Sequence, residues 1–377
     1  ADNLTALVKT DETLGTMPSY STVRRYKKAK GLLKRRRRRG PNSPGARRAA
    51  HRLEHLEVRS YEAEYVCGLW HLDYHHGSRK VLTRAGWQTP LLLGMLDDRS
   101  RLVCHMQWYL DETAETLIHG LSQAIQKRGL PRALLTDNGS PMLAAETREG
   151  LFDLGIVHET TLPHSPYQNA KQEVLWAVVE GRLLAMLKGV DDLTLDQLNE
   201  ATQAWVELEY NRKIHSEIGC TPIQRWCEGP DVSRPSPSTN ELRRAFRAEA
   251  SRTQRRSDGT ISLEGRRFEV PSRYRHLERL RLRYARWDLR SVDLLDPNTD
   301  VILCPLYPLD KAANADGRRR PVEPLAAEDS VGQAVTPQSG MAPLLRQLLE
   351  EYAATGLPPA YLPRPTADDQ DQEETES

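Results

Sequence analysis

Cysteine is scarce, and what there is does not pair. The five cysteines, Cys67, Cys104, Cys220, Cys227 and Cys304, are scattered, odd in number and form no C-x-x-C motif. That spacing argues against a disulfide framework and against a zinc site, and suits free thiols in a reducing compartment. Long apolar runs are missing too: none approaches the roughly 18 residues of a membrane span. No secretory leader is legible in the sequence, which begins at Ala1 rather than Met and is expected to be trimmed there. These absences predict a cytoplasmic protein with no membrane partner. An excess of one charge is also lacking, since Lys+Arg 53 against Asp+Glu 52 leaves a net +1.

Near-neutrality conceals segregation. Residues 24–59 hold fifteen Lys/Arg against two Glu, whereas every charged residue in 367–377 is acidic. A basic N-terminal part with an acidic tail points to a polyanionic partner at one end. The length of 377 residues suits two or three domains. Residues 1–40 read as short helices and a basic run. Ser19 and Ser21 are candidate caps before Val23, Tyr26 and Leu33, and Arg24, Arg25 and Lys28 would face outward. The helices fit either the end of a helix-turn-helix unit or an ordinary amphipathic helix with a solvated basic face. Lys34, Arg35, Arg36, Arg37, Arg38 and Arg39 follow without a break. Six adjacent cations repel one another and do not pack. The run is therefore expected to be extended, and beside a basic helix it suits a DNA backbone.

After a linker over 41–62 the texture changes. "LWHLDYHH" and "TPLLLGMLDDRSRLVCHMQWYL" read as strands with turns at Gly77 and at Asp97-Asp98-Arg99-Ser100. "DETAETLIHGLSQAIQKRG" is a helix with acids in its first turn and Gly129 at its end, and "ALLTD" and "GIVHETT" are short strands. Two helices follow, over about 169–187 and 194–210. Strands first, then alternating with helices, predict an α/β layered domain over 63–229. A linker is expected at 230–256. Over 257–312, short alternating strands with turns at Glu264-Gly265 and Asp296-Pro297-Asn298 predict a small β-barrel. Residues 313–377 read as a loose tail with one amphipathic helix at 341–355, carrying Leu344, Leu345, Leu348 and Leu349 on one side. That helix fits either a fold-back onto the core or a groove on a partner.

"LLTDNGSPM", residues 134–142, raises the functional question. Taken alone, Asp137-Asn138-Gly139 is turn chemistry. Two other carboxylates alter its meaning. Asp73 lies mid-strand in "LWHLDYHH", where an acid is unfavourable unless it faces a site or an edge. Glu173 begins a helix, with thirty-five residues between it and Asp137. An acid on a strand, one at a strand end and one on a following helix can converge at a sheet edge. Three adjacent carboxylates would then call for hard cations, with Mg²⁺ the natural choice.

These residues resemble the DDE transposase and retroviral integrase superfamily. Asp73, Asp137 and Glu173 match its acidic triad, "TDNGS" and "SPYQNAKQE" its local motifs, and "YNRKIHSEIGCTPIQRW" the stretch after its core. The match spans about 65–230. The segment after it resembles the C-terminal barrel of Mu-type transposases, and the N-terminal part is similar, less specifically, to their helix-turn-helix DNA-binding region.

The resemblance implies an RNase H-like integrase core, a mixed five-stranded sheet with flanking helices, acting as a polynucleotidyl transferase of a bacterial mobile element. It implies donor-strand cleavage and strand transfer, with two Mg²⁺ ions (Mn²⁺ able to substitute) about 3.5–4 Å apart on Asp73, Asp137 and Glu173. The implied partners are double-stranded DNA, further copies of the chain when assembled on DNA, and an AAA+ ATPase target selector engaging the tail; the implied location is nucleoid-associated. Lys171 fits a phosphate contact or a solvated lysine. Asn138, Gln168 and Asn169 fit loop shaping better than DNA contact, His164 fits a surface histidine better than one approaching the DNA, and Trp70 and Trp176 fit the core better than base-stacking platforms. Two positions depart from the family pattern: Ala170, where members commonly have Gly, and Val174, where they often have Arg. If position 170 needs φ > 0, Ala there carries strain. A catalytically impaired DNA-binding protein on the same fold is therefore the alternative, and a nuclease that cuts without joining is a third.

Overall fold

The computed structural model describes residues 2–33, 47, 61–161, 170–299, 301–310 and 340–355. The basic run 34–39, the residues His164, Gln168 and Asn169, and the acidic stretch 367–377 lie outside the described residues.

β1 (Leu69–His76) is the strand that carries Asp73. A short hairpin of β2 (Val81–Thr83) and β3 (Gly86–Gln88), not foreseen from sequence, follows it. β4 (Leu91–Asp97) and β5 (Val103–Tyr109) are buried at every position, which suits their largely apolar texture; Asp97, His105 and Gln107 are the buried polar exceptions. Thr113 caps α3 (Ala114–Arg128; α1 and α2 precede β1 and are described below) through a capping box with Thr116, and Gly129 ends it at φ 82°. β6 (Ala133–Thr136), α4 (Ala145–Asp153) and β7 (Val157–Thr160) complete this part. The five strands run in the order β5-β4-β1-β6-β7. β1–β4 and β4–β5 are antiparallel and β6–β7 parallel, so the sheet is the mixed five-stranded sheet of an RNase H-like integrase core.

α5 (Ala170–Val178) passes through a π-helical turn, Val179–Leu183, into Leu184–Met186. α6 (Leu195–Trp205), capped by Thr194, likewise ends in a π turn, Val206–Tyr210. α7 (Pro222–Glu228), α8 (Thr239–Ala245) and α9 (Pro343–Ala354) are the remaining α-helices described after β7. The chain divides into two compact units: residues 1–110, 161–233 and 334–360, and residues 111–160, 234–333 and 361–377.

In the first unit, β4, β5, α5, α6 and α9 share one core that includes Trp108, Trp176, Leu187 and Trp205. Buried polar side chains stitch it together: Trp108 Nε1 donates to Thr202 Oγ1 (2.8 Å) and Trp108 N to Asn199 Oδ1 (2.7 Å). The tail helix is not loose. Leu345, Leu348 and Tyr352 of α9 are buried in this core and Leu344 and Leu349 pack against it, so the leucine stripe is taken up by the chain itself. α1 (Asp2–Thr10) buries Ala6 and accepts from Leu344 N at Asn3 Oδ1 (3.3 Å). Asp2 pairs with Arg182 (2.8 Å) and Lys213 (3.0 Å), so α1 is a component of this unit. α2 (Tyr20–Ala29), capped by Ser19, buries only Val23 and leaves Arg24, Arg25 and Lys28 exposed.

In the second unit, the expected linker at 230–256 carries α8 and β8 (Ala248–Thr253). Ser238 and Glu241 form a capping box, and Phe246 fills the space over Gly150, where a Cβ would approach its ring within 2.1 Å. Next come β9 (Thr260–Leu263), β10 (Arg266–Glu269), β11 (Arg279–Ala285), β12 (Asp288–Leu295) and β13 (Ile302–Leu306). β13-β12-β11-β8 form one sheet and β9–β10 a hairpin. Glu269 N to Tyr307 O (3.0 Å) and Arg255 N to Thr260 O (2.8 Å) join the hairpin to both ends of that sheet. Ile261, Leu263, Phe268, Leu282 and Val292 fill a common core. This β unit therefore begins at Ala248, not at 257, because β8 supplies a strand that β11 requires as a partner.

Candidate active site

Alternation along β1 puts His71, Asp73 and His75 on one face. α5 lies against that strand through a series of polar contacts. Gln172 Nε2 donates to Gly94 O (3.0 Å), and Trp176 Nε1 donates to Asp73 Oδ2 (3.3 Å). The Trp176 ring stacks on His75, with centroids 5.3 Å apart and planes 13° off parallel. His75 Nε2 in turn meets Glu180 Oε1 at 3.0 Å, and Ser78 N donates to the same oxygen (3.0 Å). Asp73 pairs across the sheet with Gly94, and a Cβ there would come within 2.6 Å of the Trp176 ring. Gly94 thus lets the indole lie over the strand beside the carboxylate.

Glu173 sits one helical turn before Trp176 and is exposed. Among the described residues, no hydrogen bond or ion pair engages its carboxylate. Ala170 opens α5 in helical conformation and is not among the positive-φ residues Cys67, Arg101 and Glu264. The strain considered for that position is therefore absent. Val174 is 58% exposed beside Glu173, so it presents an apolar side chain to solvent where an Arg was the family expectation.

Asp137 lies in the second unit, directly after β6. Its Oδ1 accepts from Gly139 N (2.9 Å), an Asx-type turn that bears out the turn reading of "TDNGS". Thr136 Oγ1 meets His158 Nε2 at 2.9 Å, tying the end of β6 to β7.

Lys171 is neither solvated nor open to a phosphate. Its Nζ donates to Tyr61 O (2.6 Å), pairs with Asp98 Oδ1 and lies 4.3 Å over the Tyr61 ring. Asp98 is fully buried; its Oδ1 meets His71 Nε2 at 2.6 Å and its Oδ2 accepts from Ala63 N at 2.6 Å. Burial pushes the Asp98 carboxyl up, but the hydrogen bonds from His71, Lys171 and Ala63 outweigh it and hold the pKa at about 2. Its neighbour Asp97 is also buried, accepting from Ser100 N (2.8 Å), Ser100 Oγ (2.6 Å) and Cys67 N (2.8 Å). Burial pushes that carboxyl up. The sequence reading treated Asp97-Asp98-Arg99-Ser100 as a turn alone. The signal for more than a turn is two adjacent acids at the junction of two largely apolar, fully buried strands.

Three hard carboxylate donors suit Mg²⁺ better than a softer ion. Among the described residues, no group of three or more His, Cys, Asp or Glu side chains is assembled to hold a metal. Nor is any helix among them long and apolar enough to cross a membrane.

A family model described as the integrase core domain matches residues 66–166. No curated protein matches the chain. Among solved structures, the chain is similar to the simian T-cell lymphotropic virus intasome in complex with PP2A regulatory subunit B56 gamma. The identity is 16%, over 66% of this chain and 79% of that one, with a TM-score of 0.40. It is also similar to the HTLV-2 integrase catalytic core domain in complex with magnesium, at 23% identity over 44% of this chain and 98% of that one, with a TM-score of 0.34. The BIV integrase catalytic core domain shares 23% identity over 43% of this chain and 95% of that one, with a TM-score of 0.34. The family match and the mixed five-stranded sheet agree. Over residues 66–166 the chain matches the integrase core domain.

Proposed function

We propose that the chain is a DDE-type polynucleotidyl transferase that cleaves the donor strand at the ends of a mobile DNA element and joins the freed 3′-hydroxyl to target DNA. One observation carries the reading: Asp73, an acid in the middle of a sheet strand, is hydrogen-bonded by the helix that bears Glu173 one turn away. An acid in mid-strand is costly unless it meets partners or a ligand, and its hold from α5 supports the ligand reading. Asp73, Asp137 and Glu173 are the residues that would hold Mg²⁺. The ion supplies Lewis-acid stabilisation of the phosphate and a more acidic water or hydroxyl.

The chain's own contribution is to hold and orient. Asp73 is fixed from α5, Asp137 from its Asx-type turn, and Glu173 stands at the start of its helix. The exposed Arg24, Arg25 and Lys28 of α2 and the run 34–39 supply cations for DNA phosphates. Lys171 is committed to Asp98, and on this reading it braces the helix rather than gripping DNA. The Mu-type assignment of the β unit and self-association on DNA belong to the same proposal. An ATPase partner would have to use a surface other than the leucine stripe of α9.

The test is a nicking and joining assay on short duplexes with Mg²⁺, comparing the native chain with Asp73→Asn, Asp137→Asn and Glu173→Gln. Each variant should lose both steps, by a factor of at least about a thousand given the role of the metal in catalysis, while still binding DNA. Joining by any of the three would defeat the proposal, and nicking without joining by the native chain would favour the nuclease.

A further inference from the structure

We propose that Trp176 is a positioning residue for the metal site: its indole N–H fixes the Asp73 carboxylate for a divalent cation, and Gly94 is the residue that admits it. This rests on the reading of Asp73 as a metal ligand.

The two Asp73 oxygens are held from different sides. Oδ1 accepts from Tyr74 N (2.9 Å) and Oδ2 from Trp176 Nε1 (3.3 Å). An ionised carboxylate has about four lone-pair sites, and an N–H group on each oxygen fixes the direction in which the carboxylate lies. Ligating carboxylates characteristically take such outer hydrogen bonds, which set their direction.

The indole is itself held in place. Its ring stacks on His75, and His75 is anchored by Glu180, which also accepts from Ser78 N. Glu180 falls in the π-helical turn that follows α5, and such turns recur at functional sites. Gln172, one turn earlier, is clamped to the backbone of β4 at Gly94. Packing alone does not account for this arrangement. A leucine could fill the hole over Gly94, but it has no donor for Asp73. The space also exists only because Gly94 lacks a side chain, since a Cβ would lie 2.6 Å from the ring.

The experiment labels the native full-length chain with 5-fluorotryptophan and titrates it with Mg²⁺, assigning the Trp176 resonance by its loss in Trp176→Phe. The Trp176 signal should move with Mg²⁺ in the native chain and stay still in Asp73→Asn. Trp176→Phe, which keeps a ring on His75 but loses the N–H, should raise the Mg²⁺ midpoint about 10- to 100-fold, read by calorimetric titration. Its cleavage rate should recover when Mg²⁺ is raised to saturation. Gly94→Ala should weaken Mg²⁺ in the same direction, and combining it with Trp176→Phe should add little. A Trp176 signal indifferent to Mg²⁺, or an unchanged midpoint in Trp176→Phe, would overturn the inference. If Trp176→Phe does not fold, the Trp176 resonance is assigned by its displacement in Gly94→Ala, and the native fluorine titration then decides. Cleavage by Asp73→Asn would instead overturn the proposed function, so the two failures are distinct.

Discussion

Asp98 shows what a single buried acid does in this fold. It is fully buried, yet His71, Lys171 and the Ala63 amide keep it ionised, with a pKa of about 2 against an ordinary 3.8. Because the folded-state pKa lies below the unfolded one, the unfolded chain binds the proton more readily. The stabilisation is therefore complete above about pH 4 and is lost as pH falls from there towards 2. Urea midpoints measured across that window should drop in the native chain, and Asp98→Asn should flatten the drop. At neutral pH, Asp98→Asn leaves Lys171 without its carboxylate and should cost about 3 kcal/mol, in the range for breaking a buried pair. Asp98→Asn/Lys171→Met should be milder than Asp98→Asn alone, because no buried charge is stranded. A double variant as unstable as the single would show that the pair matters only through packing.

At the scale of the element, α9 is a part of the core contributed from far along the chain. Leu345 is fully buried, with Leu348 4% and Tyr352 7% exposed. Leu345→Ala should destabilise by about 3 kcal/mol, as a large-to-small change in a packed core does. Ending the chain before Met341 should strip the helix from the core and lower the thermal midpoint of the first unit. An unchanged midpoint would mean that α9 is dispensable there. The leucine stripe was legible as an amphipathic helix, but its spacing did not choose between fold-back and a partner. α6 and its π turn supply the apolar surface that decided it. The same holds for α8 and β8: polar, Pro-rich surroundings disguised them, and their pairing with α4 and β11 gives them their place.

For the whole molecule, the net charge of +1 says little, and its distribution says more. If the run 34–39 tracks DNA phosphates, each contact steepens the salt dependence of binding by about 0.9 log units per log unit of salt. Replacing those six residues with Gln and Ser should flatten that slope and weaken binding alike on all sequences. Nicking of DNA already bound at saturation should be unaffected. A slope that does not change would make the run a spacer.

The sequence by itself determined the period-two strand with an acid at its centre, the turn at Asp137, the helix end at Gly129, the candidate cap at Ser19, and the family likeness of the triad. Each is a local pattern, set by residues within a few positions of one another. Tertiary structure alone decided the rest. Trp176 is three residues from Glu173 in sequence, but its bond to Asp73 spans 103 positions. Lys171 lost its expected freedom to Asp98, 73 positions away. Gly94 gained its meaning from a ring that packs over it. Hydrogen bonds, ion pairs and close packing depend on which surfaces meet, and periodicity along a chain states which side of an element is apolar without stating what will cover it.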